Sequence, residues 1–203
     1  MDIKDALYYE DPPLTERVPG SIFLVGPSTS CVERTLWRIE AMAIARSLGY
    51  RGMFVVPEFS RGGFRRGPFD DGLPAEVPRM GRATERILRW ETAGVDRADV
   101  VLAWMPFTCT TADDPESRPG FATRSEVSRA IEGRRIDLVL GMPEGALSGG
   151  QVRYHGHLGG YVVHETLAET VRAAVEAAQR AERQGRLHHG LRRAYARLRR
   201  LAA

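Results

Sequence analysis

Short apolar runs alternate along this chain with longer segments in which apolar residues recur at helical spacing. The apolar runs are rich in β-branched residues and lie at 21–25, 52–56, 99–105, 137–141 and 161–165. Strands separated by helices in this way are typical of parallel sheets, because each helix carries the chain back to the start of the next strand. The order predicts an α/β fold: a doubly wound, mainly parallel five-stranded sheet with helices on both faces, of the flavodoxin- or Rossmann-like type.

The length and composition are those of one domain. At 203 residues and 43% apolar content, the chain is able to bury a substantial core. We assign residues 1–165 to the α/β domain and residues 166–203 to a C-terminal basic helical segment. That segment is expected to pack on the domain or on a neighbouring subunit.

The C-terminal segment opens with its own helix signal. Thr166 and Glu169 have the spacing of a capping box, and Gly185 and Gly190 are expected to interrupt the helix. From Glu169 onward there are nine Arg and three Glu. Because aromatic residues are not interleaved with these arginines, we expect no nucleic-acid partner.

Other features exclude several classes of protein. Cys31 and Cys109 are too few and too far apart for a disulfide framework or a zinc ribbon. The N-terminus lacks a basic segment followed by an apolar one, and nowhere do 18 uncharged apolar residues run together. We therefore expect a soluble cytoplasmic protein without a membrane partner.

Three loops follow predicted strands and are candidates for ligand binding, since ligands of such sheets lie at the carboxyl ends of the strands. They are residues 26–30, 57–80 and 106–120. The first, GPSTS, precedes a helix, and free N–H groups and hydroxyls at a helix start suit a phosphate or a sugar hydroxyl. An ordinary strand-to-helix turn is the alternative, because no phosphate-binding motif is present.

Glu126 stands near the start of a predicted helix, in the segment PGFATRSEVSRAI of residues 119–131. Thr123 and Glu126 have capping-box spacing, in which a hydroxyl and a carboxylate each bind a free backbone N–H. The helix macrodipole also favours the ionised carboxylate that a nucleophile requires. Both interpretations remain open, and they do not exclude each other.

Trp90 and Glu91 lie near the end of the helix that leads into the third predicted strand. If the two residues are only structural, Trp90 is a core or rim aromatic and Glu91 is a solvated glutamate. If they belong to a site, Glu91 supplies a second carboxylate in a fold where few carboxylates are able to converge.

The histidines form no convincing metal motif. His155 and His157 fall on one side of a predicted extended segment, and His188 and His189 lie in the C-terminal segment. Zinc sites need three or four ligands, and no further ligand has suitable spacing. We predict surface or packing histidines and no metal site.

Five sequence blocks occur together in one order: IFLVGPSTS, WRIEAMAIARSLGYRGMFVVPE, WETAGVDRADVVLAWMP, GFATRSEVSRAIEG and LVLGMPEGA. Together they resemble the nucleoside 2-deoxyribosyltransferase family, in particular its bacterial branch and the related nucleotide N-glycosidases. The resemblance covers about residues 21–146.

The resemblance implies retaining cleavage of the N-glycosidic bond of a nucleoside or nucleoside 5′-monophosphate. The family nucleophile falls on Glu126, which would form a covalent glycosyl-enzyme, and the family acid/base falls on Glu91. The (deoxy)ribosyl group would pass to another base or to water. No metal or redox cofactor is implied.

The resemblance also implies a set of substrate-binding residues and an assembly. Near the sugar, its 5′ substituent or the base it places Gly26, Pro27, Ser28, Thr29, Trp37, Glu58, Trp90, Phe107 and Phe121. A homo-oligomer that binds a small-molecule nucleoside or nucleotide is expected. Two features depart from the family: Gly120 replaces an Asp six residues before the nucleophile, and the loop at 57–80 has no family counterpart.

Two rival functions remain open. PGFATRSE is one residue shorter than the P-G-G-x-G-T-x-x-E motif of cytokinin-type phosphoribohydrolases and lacks two of its glycines. The other rival is a non-catalytic nucleotide-binding module in which Glu126 is only a helix cap.

Overall fold

The structure, a computed structural model, describes residues 6–9, 11–26, 37–58, 82–106, 121–132, 137–146 and 149–201. The strands are β1 (Ala6–Leu7), β2 (Val18–Val25), β3 (Phe54–Val55), β4 (Ala98–Trp104), β5 (Leu138–Gly141) and β6 (Val163–His164). The helices are α1 (Trp37–Ser47), α2 (Arg82–Arg97), α3 (Phe121–Glu132), α4 (Gly149–Leu158) and α5 (Leu167–Leu201).

The six strands form one sheet in the order β1-β3-β2-β4-β5-β6, and every pair of neighbours is parallel. The predicted doubly wound α/β fold is therefore confirmed, with one more strand than predicted. The additional strand is β1, in which Ala6 and Leu7 pair with Phe54 and Val55. A strand of two residues is too short to leave a periodic signal in a sequence. The formation of β1 depends on its pairing with the free edge of β3.

The sheet is covered by helices on both faces. Along β2, Ile22 and Leu24 belong to one core cluster, and Phe23 and Val25 belong to the other. The first cluster includes residues of α1 and α5, and the second includes residues of α2, α3 and α4. The strands are apolar on both sides because both sides are buried, as in parallel sheets generally.

Helix α5 is continuous over 35 residues. The prediction that Gly185 and Gly190 interrupt this helix is therefore wrong. A glycine inside a helix costs about 1 kcal/mol, which a long helix is able to absorb. The predicted capping box is confirmed: the Glu169 amide donates to Thr166 Oγ1 and the Thr166 amide donates to the Glu169 carboxylate, both over 3.2 Å. Within the described part of the chain, no helix is long and apolar enough to cross a membrane.

Two local predictions were wrong. Helix α3 begins at Phe121, so Thr123 lies inside its first turn and is not at the cap position in front of it. Residues 149–158 form α4 where an extended segment was predicted, and His155 and His157 therefore lie about 200° apart around the helix axis.

The order of the strands fixes the position of the ligand crevice. The chain leaves β2 through α1 on one face of the sheet and leaves β4 through α3 on the other face. The region between the carboxyl ends of the neighbouring strands β2 and β4, called the crevice below, is the usual place for a ligand in an open α/β sheet.

Candidate functional site

Glu91 and Glu126 come together on one face of the sheet. Glu91 is carried by α2 and Glu126 by α3, and both helices pack on the same core cluster. The two carboxyl groups interact electrostatically, and the positive charge of Arg38 on α1 acts on both. The crevice between β2 and β4 thus has a pair of carboxyl groups on one side and a guanidinium on the other.

Tyr9 holds the Glu91 carboxylate. The Tyr9 hydroxyl donates a hydrogen bond to Glu91 Oε1. Burial raises the pKa of Tyr9, and the charge of Glu91 raises it further, so the hydroxyl stays protonated as a donor. A carboxylate with a fixed donor has a defined orientation, which general acid/base chemistry requires.

The backbone of Tyr9 is itself anchored. Its amide donates to the Glu58 carbonyl over 3.0 Å, and Arg86 Nη2 donates to its carbonyl over 3.1 Å. The Tyr9 ring packs edge-on against Trp90, with 5.1 Å between ring centroids. Trp90 in turn donates from its indole N–H to the Asp11 carbonyl over 3.2 Å. These contacts fix the position of the Tyr9 hydroxyl.

The pKa of Glu126 lies well above its usual range. Burial and then the charge of Glu91 raise the pKa of Glu126 to about 8, against a smaller lowering by Arg38. Both effects oppose the ionised form that the helix macrodipole is expected to favour. Glu126 is the sixth residue of α3, and the dipole effect fades beyond the first turn.

The negative charge of one carboxyl group favours a proton on the other. Burial also raises the pKa of Glu91, while the Tyr9 hydrogen bond and then the Arg38 charge lower it in part. Two neighbouring carboxyl groups in a poorly solvated site do not ionise together easily, and the proton belongs to the pair. Such a pair supplies one acid and one carboxylate at the same time.

Arg38 is a buried cation at the carboxyl end of β2, with only 3% of its side chain exposed. Its Nη2 donates to the Gly26 carbonyl over 2.7 Å, and its Nη1 donates to the Glu58 carboxylate. The guanidinium lies 4.7 Å from the ring centroid of Trp37. Arg38 thus ties the end of β2 to the segment that follows β3.

Gly26 occupies a position where a side chain does not fit. A Cβ atom there would lie 2.4 Å from the Trp37 ring and 2.6 Å from the Trp104 carbonyl oxygen of β4. The glycine of the GPSTS loop is therefore required because β2, β4 and α1 approach each other closely at the mouth of the crevice.

The other predicted substrate-binding residues divide into three groups. Trp37 and Trp90 are buried, with 2% and 3% exposed, and support the site from behind. Glu58 borders the crevice as the partner of Arg38, with 13% of its side chain exposed. Phe121 is the first residue of α3, and its side chain lies outside the described part of the structure. Outside that part also lie the residues Pro27, Ser28, Thr29 and Phe107.

The sequence analysis assigned no role to Tyr9 or Arg38. Arg38 left a signal, because it lies at helical spacing with Ala41, Met42 and Ala45 on the buried stripe of α1. A charged residue on an apolar stripe indicates either an internal ion pair or a site. Tyr9 left none, since its position depends on the pairing of β1 with β3.

Among the described residues, no group of three or more His, Cys, Asp or Glu side chains is placed to hold a metal ion. His155 is instead in contact with the Tyr154 ring, at 5.5 Å between centroids.

Comparison of the sequence with protein-family models and with curated proteins gives no match.

Proposed function

We propose that the chain cleaves the N-glycosidic bond of a nucleoside or nucleoside 5′-monophosphate through a covalent glycosyl-enzyme on Glu126. The (deoxy)ribosyl group then passes to another base or to water. The observation that carries this proposal is the buried, electrostatically coupled pair of Glu91 and Glu126 at the carboxyl ends of β2 and β4. Retaining glycosidic cleavage requires two carboxyl groups, one as nucleophile and one as acid/base.

In the first step, a Glu126 carboxylate oxygen bonds to the anomeric carbon while the bond from that carbon to the base nitrogen breaks. The electron pair goes to the base, and Glu91 supplies the proton that neutralises it. In the second step, the acceptor base or water gives a proton to Glu91 and bonds to the anomeric carbon. The bond to Glu126 breaks, so the configuration is retained.

The protonation of the Glu91 and Glu126 pair is compatible with these two reaction steps. The raised pKa of Glu126 favours a proton on that group, whereas attack needs the proton on Glu91. Transfer of that one proton within the pair produces an ionised nucleophile and a protonated acid without any change in net charge. The Tyr9 hydroxyl holds Glu91 in place during both steps, since it donates to one carboxylate oxygen and leaves the other for the substrate.

The test is chromatography for free base after incubation with nucleosides, 2′-deoxynucleosides and their 5′-monophosphates, with and without a second base. We expect base release by the wild type and none by Glu126→Ala. Glu85→Ala is the matched control, because Glu85 lies on α2 with 58% of its side chain exposed and pairs with Arg89 on the same helix. A glycosyl adduct on the peptide that contains Glu126, detected by mass spectrometry, would identify the nucleophile.

Wild-type rates in Glu126→Ala would overturn the proposal. A rise in melting temperature with nucleotide, without base release from any substrate, would support the non-catalytic binding module instead.

A further inference from the structure

Arg38 stands where elementary electrostatics disfavours a cation. It lies on α1 and is almost fully buried, with 3% of its side chain exposed. Removing a guanidinium from water costs several kcal/mol, and apolar residues of similar volume often replace buried ion pairs without loss of stability. The fold alone therefore does not explain an arginine at this position.

The contacts of Arg38 with the described residues lie at the mouth of the crevice. Its guanidinium donates to the Leu24 carbonyl over 3.4 Å, to the Gly26 carbonyl over 2.7 Å and to the Glu58 carboxylate. A planar fork that binds two carbonyls and a carboxylate in fixed directions is a property of arginine and not of lysine. The guanidinium is thereby held in one place and one orientation.

We propose that Arg38 is the positioning residue of the site: it fixes the carboxyl end of β2 and holds a permanent positive charge facing the Glu91 and Glu126 pair. This inference rests on the proposed function. Its consequence is a lower pKa for both carboxyl groups, since a nearby positive charge favours the ionised form.

The charge of Arg38 is the one positive charge that acts on the pair among the described residues. Glu126 faces Glu91 on α2, Arg38 on α1 and the Tyr9 hydroxyl that follows β1. Glu91 faces Tyr9 and Arg38. Loss of Arg38 is therefore expected to raise the pKa of both carboxyl groups.

The experiment is a ¹³C NMR titration of the carboxyl carbons in protein labelled with ¹³C-glutamate, with signals assigned from Glu91→Gln and Glu126→Gln. In Arg38→Gln the pKa of Glu126 is expected to rise by about one unit or more, and in Arg38→Lys to stay within about half a unit of the wild type. At pH 7, turnover by Arg38→Gln is expected to fall about 100-fold, with a smaller change in KM.

Arg46→Gln is the matched control on the same helix. Arg46 also donates to backbone carbonyls, those of Tyr50 and Gly52, and lies over the rings of Tyr50 and Phe54, but it does not act on the carboxyl pair. Its replacement should leave the pKa of Glu126 unchanged. A folded Arg38→Gln protein with an unchanged pKa of Glu126 would overturn the inference.

If Arg38→Gln does not fold, the double variant Arg38→Gln/Glu58→Gln removes both partners and leaves no buried charge unpaired. The same upward shift is expected, with Glu58→Gln alone as its reference, and an unchanged pKa again contradicts the inference. The titration does not depend on catalysis. A wild type that releases no base would sink the proposed function, while the NMR result would still decide the role of Arg38.

Discussion

At each edge of the sheet an arginine lies near a pair of acidic residues, yet the hydrogen bonds of the two clusters differ. At the amino edge, Arg17 donates to Asp99 over 2.5 Å and to Asp137 over 2.8 Å. Asp99 also accepts the Gly20 amide over 2.6 Å. This network lines an open cavity of about 300 Å³ between the sheet and α5.

At the carboxyl edge, the described hydrogen bonds of the arginine go to other groups than the carboxyl pair. Arg38 donates to Glu58 and to two backbone carbonyls, and its charge acts on Glu91 and Glu126. Glu91 has the Tyr9 hydroxyl, and within the described residues nothing donates to the Glu126 carboxyl group. Satisfied carboxylates hold a fold together, whereas unsatisfied ones hold protons and are available for chemistry.

The largest effect should come from exchanging each acid for its amide. Glu126→Gln is expected to lower turnover by at least about 10³-fold while leaving the denaturation midpoint equal or higher, because a buried carboxyl group becomes a neutral amide. Asp99→Asn should do the reverse. It loses charge-assisted hydrogen bonds worth about 2 kcal/mol of unfolding free energy and leaves turnover within about threefold.

Urea denaturation and base-release assays on both variants measure the two quantities. The contrast between the edges would fail if Asp99→Asn lost turnover without losing stability, or if Glu126→Gln lost stability and kept its turnover.

A smaller effect is expected in the pH dependence of stability. The pKa of Glu126 is about 8 in the folded chain and near 4.5 in the unfolded one, so between these values the unfolded chain has released a proton that the folded chain retains. Its contribution is therefore fully present below about pH 4.5 and is lost as the pH rises through about 8.

Glu126→Gln removes this pH-dependent contribution of Glu126. The unfolding free energy of the variant should therefore increase relative to that of the wild type from pH 5 to pH 8. Glu85→Gln serves as the exposed reference on α2. Parallel pH profiles for wild type and Glu126→Gln would show that Glu126 titrates normally in the folded chain.

The smallest effect is expected from a change in the capping box of α5, which serves as a comparison for the two clusters. Thr166→Ala removes the hydroxyl that accepts the Glu169 amide at the start of α5. It should lower the unfolding free energy by about 1 kcal/mol and leave the pKa of Glu126 and turnover unchanged. Thermal denaturation and the carboxyl titration measure these outcomes, and any shift in the pKa of Glu126 would link α5 to the site.

Local signals predicted what depends on local structure. The alternation of apolar runs and helical segments predicted five of the six strands and the parallel sheet, and Thr166 with Glu169 predicted a real capping box. Thr123 and Glu126 have the same spacing, but α3 begins at Phe121, so spacing alone did not locate that helix start.

By itself the sequence determined the fold class, because burial on both faces of a parallel sheet demands apolar runs that are visible along the chain. It also singled out Glu91 and Glu126 as candidates. Only the tertiary structure decided that their carboxyl groups interact, that Tyr9 holds one of them and that Arg38 faces both. Ionisation depends on burial and on charges that are distant in the chain, and these are set where β1, α1, α2 and α3 meet at one edge of the sheet.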